Sequence, residues 1–153
     1  MTEVLDFDHC GPMQPDPGCL RDGAHLLPVR VYFEDTDAGG IAYHATYLRW
    51  MERGRTELLR ARGYDQSDRL HGPEAVAFVV RRMTIDYLLP ARLDDVLTVA
   101  TRPTELRAAT VALSQEVRRG DDLLVSATVL VAAIRDGRAV RIPDEFRRAL
   151  EPS

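Results

Sequence analysis

Lysine is absent from this sequence of 153 residues, and all 20 basic side chains are arginine. An anionic ligand would therefore meet planar guanidinium groups, or backbone amides at the start of a helix. The formal net charge of −4 argues against a nucleic-acid-binding protein, because phosphate recognition normally requires a basic face. The adjacent pairs Arg81-Arg82 and Arg118-Arg119 are candidate ligand contacts, although charges on strands usually belong to a solvated face.

Cysteine is scarce as well. Cys10 and Cys19 both lie in a proline- and glycine-rich start, and two cysteines are too few for a disulfide scaffold. His9 and His25 are near them, but the spacing lacks the paired Cys-x-x-Cys pattern of a zinc site, so we expect no metal. No cofactor is predicted, and the low cysteine content fits a reducing, cytoplasmic location.

Long apolar runs are missing too. The longest, near residues 75–80 and 123–134, fall well short of the ~20 residues that a membrane-spanning helix needs. Residues 1–25 lack the basic start and apolar stretch of a secretory signal, so we predict a flexible N-terminal extension. The chain length fits one globular domain after this extension, at residues 26–150.

The remaining sequence predicts an α+β domain. A β-branched and aromatic run at residues 26–33 predicts a strand, and a helix is expected from an N-cap at Thr46 to a stop at Gly63. Beyond it, closely spaced turn residues predict antiparallel hairpins in one meandering sheet. The predicted strands are residues 75–89, 95–104, 107–119, 122–134 and 138–141, followed by a short helix at 143–150.

One face of the predicted helix is apolar and contains a glycine. Tyr47, Met51, Gly54, Leu58 and Ala61 recur at three- and four-residue steps. Glycine within a helix costs ~1 kcal/mol relative to alanine, which is expected where the helix backbone lies close against a partner. The pattern therefore predicts a helix that is wrapped by the sheet.

The candidate site is the loop between the first strand and the helix, which contains Glu34, Asp35, Asp37 and the pair Gly39-Gly40. Aspartate and glycine are ordinary turn formers, so a purely structural loop is one interpretation. A functional loop is the other. Close carboxylates raise the proton affinity of any one that is buried, glycines let a ligand approach, and the helix start supplies free amides.

These groups suit attack on a carbonyl carbon, with a carboxylate as base or nucleophile and helix-start amides polarising the oxygen. A thioester is the natural target, because a thiolate leaves readily. The sequence has no Gly-x-Ser-x-Gly motif and no cysteine in a predicted folded segment to act as an alternative nucleophile. His44 either orients the water or the aspartate, or is only a hydrogen-bonding loop residue.

The same residues resemble a known family. The sequence resembles the YbgC-like, Tol-Pal-associated acyl-CoA thioesterases of the wider 4-hydroxybenzoyl-CoA thioesterase group, over roughly residues 28–150. The segments that carry the likeness are VRVYFEDTDAGGIAYHATYL (residues 29–48), MERGRTE (51–57), FVVRRMTIDY (78–87) and PARLDDVL (90–97). Two departures are Thr46, where relatives often carry Asn, and Gly54, where they often carry Ala.

The resemblance implies a hotdog fold, in which a curved antiparallel sheet of about five to six strands wraps one long helix. Two subunits would pair into a continuous sheet with active sites at their interface, so a homodimer or homotetramer is expected. By resemblance Asp37 is the catalytic carboxylate, as nucleophile or general base, and His44 is the motif histidine, whose amide also polarises the carbonyl. The expected substrate-binding residues are Gly39, Gly40, Tyr43 and Tyr47.

The predicted reaction is hydrolysis of short-chain or aromatic acyl-CoA to the free acid and CoA, with acyl carrier protein thioesters as a related substrate. One alternative is a non-catalytic acyl-CoA-binding hotdog protein, which the presence of both Asp37 and His44 disfavours. A hotdog enoyl-CoA hydratase, which would also use an aspartate and a histidine, is the other alternative. A nucleic-acid partner and a membrane span are not expected.

Overall fold

A computed structural model describes residues 14–64, 66–67 and 71–152. His9 and Cys10 lie outside these residues. The strands are β1 (Cys19–Arg21), β2 (Ala24–Arg30), β3 (Ala77–Tyr87), β4 (Val96–Leu106), β5 (Thr110–Arg119), β6 (Asp122–Arg135) and β7 (Arg138–Ala139). The α-helices are α1 (Thr46–Ala61) and α2 (Asp144–Leu150), and Phe33–Asp35 form a short 3-10 turn.

One long helix packs against one antiparallel sheet, as the sequence predicts. The strand order is β1-β2-β4-β5-β6-β3, with the short β7 paired to β6. The predicted meander holds for β4, β5 and β6 but is wrong for β3, which pairs with β6 instead of β4. Residues 88–95, which connect β3 to β4, are too long for a tight hairpin turn. Strand β3 lies at the edge of the sheet, beside β6.

Helix α1 buries one face along its length. Trp50, Met51 and Leu58 are at most 1% exposed. The predicted apolar face is confirmed except for Ala61, which is exposed in the last turn, and it also includes Trp50. The helix ends as predicted, because Gly63 follows with a φ of +83° and its amide donates to the carbonyl of Arg60.

The start of α1 differs from the prediction. Ala45, not Thr46, is the N-cap residue, and no side chain caps the helix there. The Thr46 hydroxyl instead donates to the carbonyl of Asp35 at 3.4 Å. Thr46 therefore joins the helix start to the acidic loop.

Gly54 lies directly against the sheet, as expected from its position. A Cβ atom at this residue would be 2.7 Å from Thr101 Oγ1 and 3.1 Å from Val99 Cγ1, both on β4. These distances are too short for a methyl group unless the neighbours move. The close approach confirms that the helix backbone packs on the sheet.

A buried amide links the helix to the sheet at the same level. Gln115 of β5 is fully buried, and its Nε2 donates to the carbonyl of Met51 and to Thr101 Oγ1, each at 2.8 Å. Its Oε1 accepts a hydrogen bond from Arg55 at 2.7 Å. Because buried polar groups are costly when unpaired, this network favours one position of α1 on the sheet.

The sheet begins before residue 26. Strand β1 pairs with β2, and His25 is fully buried with its Nε2 2.8 Å from the carbonyl of Pro17. The division into residues 1–25 and 26–150 stays a prediction. No helix in the described part of the chain is long and apolar enough to cross a membrane.

Candidate active site

The acidic loop folds into a tight turn around Asp37. The Asp37 amide donates to the carbonyl of Ile41, and the Gly40 amide donates to the carbonyl of Asp37, each at 3.0 Å. Gly40 has a φ of +76°, a conformation that favours glycine. The predicted glycine pair therefore shapes the turn that presents Asp37.

One carboxylate oxygen of Asp37 is anchored and the other is not. Oδ1 accepts a hydrogen bond from the Gly39 amide at 2.7 Å, while Oδ2 has no hydrogen-bond donor among the described residues. Gly39 also leaves room for this carboxylate, since a Cβ there would be 3.0 Å from Oδ1. The exposed Asp37 side chain thus has a fixed position and a free oxygen.

The two neighbouring acids of the loop, Asp35 and Glu34, are not part of the cleft lining. Asp35 accepts a hydrogen bond from the Tyr32 amide at 2.8 Å on its carboxylate, and from the Tyr43 amide at 2.8 Å on its carbonyl. Glu34 is exposed. None of the three acids is fully buried in this chain, so repulsion between buried carboxylates does not raise their proton affinity here as the sequence suggested.

An open cleft of about 450 Å³ lies beside Asp37. Of the predicted site residues it brings together Asp37, His44 and Tyr47, whereas Gly39, Gly40 and Tyr43 are outside its lining. The residues that line it are Asp37, Ile41, Ala42, His44, Tyr47, Tyr87, Leu88, Leu89 and Pro90. The polar groups of the lining therefore come from the loop and the helix start, and the wall formed by the segment after β3 is largely apolar.

The helix start contributes unpaired amides. The Thr46 amide donates to the carbonyl of Tyr43 at 2.9 Å and the Leu48 amide to that of Ala45 at 3.2 Å. The amides of His44, Ala45 and Tyr47 have no acceptor within the described part of the chain. Unpaired amides at the positive end of a helix are suited to stabilising a developing negative charge.

Tyr47 forms the base of the cleft. It is 3% exposed, its ring packs edge-on against Trp50, and its hydroxyl oxygen accepts a hydrogen bond from the Ala91 amide at 3.0 Å. Burial raises the pKa of Tyr47, so its hydroxyl is neutral at physiological pH. Tyr47 thereby connects the helix to the segment after β3.

The segment at residues 88–95 is held by an ion pair at its far end. Asp95 Oδ2 accepts hydrogen bonds from Arg119 Nη1 and from the Arg92 amide, each at 2.8 Å. Burial alone would raise the pKa of Asp95, but these two donors outweigh burial and lower it. Arg119, a candidate ligand contact in the sequence, is thus paired with a carboxylate, while Arg81 and Arg82 are exposed on β3.

Comparison with known proteins identifies the family. The Thioesterase superfamily profile matches residues 39–126. The acyl-CoA thioesterase YbgC of Haemophilus influenzae is 44% identical over 132 residues, which cover 85% of this chain and 96% of that protein. The chain belongs to the thioesterase superfamily.

Two further matches extend this result. The acyl-CoA thioester hydrolase YbgC of Escherichia coli O6:H1 is 46% identical over 108 residues, 70% of this chain and 79% of that protein. The solved structure of a probable thioesterase from Bartonella henselae superposes with a TM-score of 0.75 at 40% identity, covering 78% of this chain and 99% of that one. The predicted hotdog fold and thioester hydrolase class are confirmed.

One wall of this thioesterase cleft is not predicted from the sequence. Tyr87 is the last residue of β3, and Leu88, Leu89 and Pro90 follow it. Their sequence reads only as a strand end and a junction. Their place in the cleft lining beside the helix start depends on the edge position of β3, for which the sequence offers no local signal.

Proposed function

We propose that this thioesterase hydrolyses acyl-CoA to the free acid and CoA at the cleft beside Asp37. The observation that carries the proposal is the common cleft of Asp37 and His44 at a helix start with unpaired amides. The names of the relatives support the same substrate class, since those from Haemophilus influenzae and Escherichia coli are acyl-CoA thioester hydrolases. A cytoplasmic location stays a prediction from the sequence.

Two routes fit an aspartate in this position. As a general base, Asp37 takes a proton from water, the water oxygen bonds to the thioester carbon, and the carbon–sulfur bond breaks. As a nucleophile, Asp37 displaces the thiolate and forms a mixed anhydride, which water then hydrolyses. In both routes a proton reaches the CoA thiolate, and the helix-start amides would stabilise the oxyanion.

The other predicted site residues have supporting roles in this proposal. His44 faces the same cleft as Asp37 and would orient the water or the carboxylate. Gly39 and Gly40 would act through the turn, by fixing the Asp37 carboxylate and leaving its surroundings open. Tyr47 would form the base of the acyl site, and the half-exposed Tyr43 would flank its entrance.

The cleft wall indicates the kind of acyl group. Ile41, Leu88 and Leu89 line the same cleft as the polar groups, so an apolar or aromatic acyl chain would bury its surface against them. A short-chain or aromatic acyl group fits this arrangement. The carrier is proposed as CoA, with acyl carrier protein as the alternative.

We also propose that a second copy pairs along β3. This 11-residue edge strand exposes Val79, Val80 and Tyr87 by 37%, 47% and 45%. An exposed apolar edge is a template for strand pairing, and Tyr87 continues directly into the cleft wall. Light scattering would be expected to give the mass of a homodimer or homotetramer, and a monomer at micromolar concentration would contradict this assembly.

Thiol release from a panel of acyl-CoA substrates tests the reaction. Asp37→Asn is expected to lower turnover by at least ~100-fold, because it removes a positioned acid–base group. Glu34→Gln is the matched control, since Glu34 is an exposed acid of the same loop outside the cleft lining. Equal turnover by Asp37→Asn and the unchanged protein would exclude Asp37 as base or nucleophile.

The same panel separates the alternatives. A non-catalytic binding protein would bind acyl-CoA without thiol release. A hydratase would add water to an enoyl-CoA and leave the thioester bond intact. Either result would contradict the proposed hydrolysis.

A further inference from the structure

Tyr87 contacts the helix start from the other side of the cleft. Its hydroxyl donates a hydrogen bond to the carbonyl of His44 at 2.9 Å, across 43 positions of sequence. Its ring packs edge-on against those of His44 and Tyr47, with centroid distances of 6.3 and 5.6 Å. The edge strand β3 and the helix start are therefore joined at the candidate catalytic histidine.

This hydrogen bond takes the place of the backbone hydrogen bond that the His44 carbonyl would accept in a regular helix. In a regular helix the carbonyl of His44 would accept from the Leu48 amide, but that amide donates to Ala45 instead. The preceding carbonyl, of Tyr43, is held by the Thr46 amide. Within the described part of the chain, the Tyr87 hydroxyl is the donor that holds the His44 carbonyl.

We propose that Tyr87 is a positioning residue for the thioester reaction, acting through His44. By fixing the peptide between His44 and Ala45, it limits rotation of the backbone that carries the His44 side chain and the unpaired amides of His44 and Ala45. This inference rests on the proposed function of the cleft. Small displacements of groups around a reacting centre lower turnover more than binding, because alignment matters most in the transition state.

The chemistry of the hydroxyl suits this role. Burial raises the pKa of Tyr87, so the phenol keeps its proton at neutral pH and acts as a hydrogen-bond donor. Tyr87 is still 45% exposed, and removing the hydroxyl leaves the edge-on contacts of its ring in place. Tyr87→Phe therefore isolates the hydrogen bond.

Turnover of the Tyr87→Phe variant is the first test. We expect kcat to fall about five- to tenfold, the range for one net hydrogen bond, with KM changed less than about twofold. Tyr32→Phe is the control, because it makes the same chemical change on an exposed tyrosine outside the cleft lining. The positioning role would be overturned by an unchanged kcat. It would also be overturned if KM rose by the same factor as kcat fell, because binding would then be weakened as much as turnover.

A second measurement does not depend on activity. The NMR signal of the His44 ring is expected to shift or broaden in Tyr87→Phe, while the signals of His25 and His71 stay in place. The Asp37→Asn variant tests the reaction itself. If Asp37→Asn loses thiol release but the His44 signal is unaltered in Tyr87→Phe, the proposed function holds and the positioning role of Tyr87 fails. A His44 signal that is identical with and without the hydroxyl would overturn this inference even if the enzyme proves to be a thioesterase.

If Tyr87→Phe lowers the melting temperature or the mass of the assembly, Tyr87→Trp provides a second variant. Its indole N–H restores a donor on a larger aromatic ring, whereas Tyr87→Leu removes both. Higher kcat per folded molecule for the tryptophan than for the leucine variant supports the role of the donor. Equal kcat values for the two variants would contradict it.

Discussion

The two ends of helix α1 have opposite surroundings. At its start, exposed Asp37 and His44 border an open cleft of about 450 Å³. In its C-terminal half, Leu58 is fully buried and lines a small cavity of about 60 Å³ with mostly apolar walls. The comparison indicates that the buried face of α1 stabilises the fold along its whole length, and that the helix start additionally keeps exposed polar groups available for chemistry.

Truncating Leu58 is expected to have the largest effect on stability. Leu58→Ala should lower the free energy of unfolding by about 2–5 kcal/mol, the range for removing a buried leucine side chain. The kcat of the molecules that stay folded should be nearly unchanged, because Leu58 does not line the cleft. Urea unfolding and thiol release at low temperature measure the two quantities.

Leu48 provides the matched control on the same helix. It lies near the helix start and is 39% exposed, so Leu48→Ala should change the free energy of unfolding by about 0.5 kcal/mol or less. Similar losses for Leu48→Ala and Leu58→Ala would contradict the proposed difference between the exposed and the buried side chains of α1.

Gly54, at the junction of the two halves, should give an intermediate effect. Gly54→Ala places a methyl group 2.7 Å from Thr101 Oγ1, which is itself held by Gln115. We expect a loss of about 1–2 kcal/mol, because overpacking at a tight contact outweighs the gain in helix propensity. Chemical unfolding measures this loss.

A double variant sharpens the interpretation of Gly54. Thr101→Ala removes the atom nearest to the new methyl group, so Gly54→Ala should cost less in that background than in the unchanged protein. Equal costs in both backgrounds would show that the close contact with Thr101 is not the cause.

The sequence predicted the local features of α1 and of the acidic loop well. Side-chain periodicity and Gly63 define the helix and its end, and Gly40 marks the turn that presents Asp37. The N-cap prediction at Thr46 was wrong for a tertiary reason. The carbonyl of Asp35 accepts the Thr46 hydroxyl bond, and this contact is not visible from helix propensity.

The pairing of strands that are distant in the sequence could not be predicted from local sequence patterns. Turn residues show which strands can form hairpins, and they predicted β4, β5 and β6 correctly. They do not show that β3 joins β6 at the sheet edge. Tyr87 and the apolar cleft wall were missed for this reason, since their place beside His44 follows from the position of β3.

The smallest expected effect concerns the ion pair that closes the far end of the cleft wall. The folded-state pKa of Asp95 is lowered below its ordinary value of 3.8, because the Arg92 amide and the Arg119 guanidinium outweigh the opposing effect of burial. The pair therefore contributes stability above pH 3.8, and this contribution is lost as pH falls through the lowered folded-state pKa.

Asp95→Asn should accordingly lower the melting temperature by a few degrees at pH 7, with a difference that shrinks towards strongly acidic pH. Asp94→Asn is the control, because Asp94 adjoins the pair without an ion-pair partner of its own among the described residues. Its φ of +68° also suits asparagine. Circular dichroism at several pH values would decide the point, since a deficit that grows in acid would mean that the Asp95 carboxylate destabilises the fold.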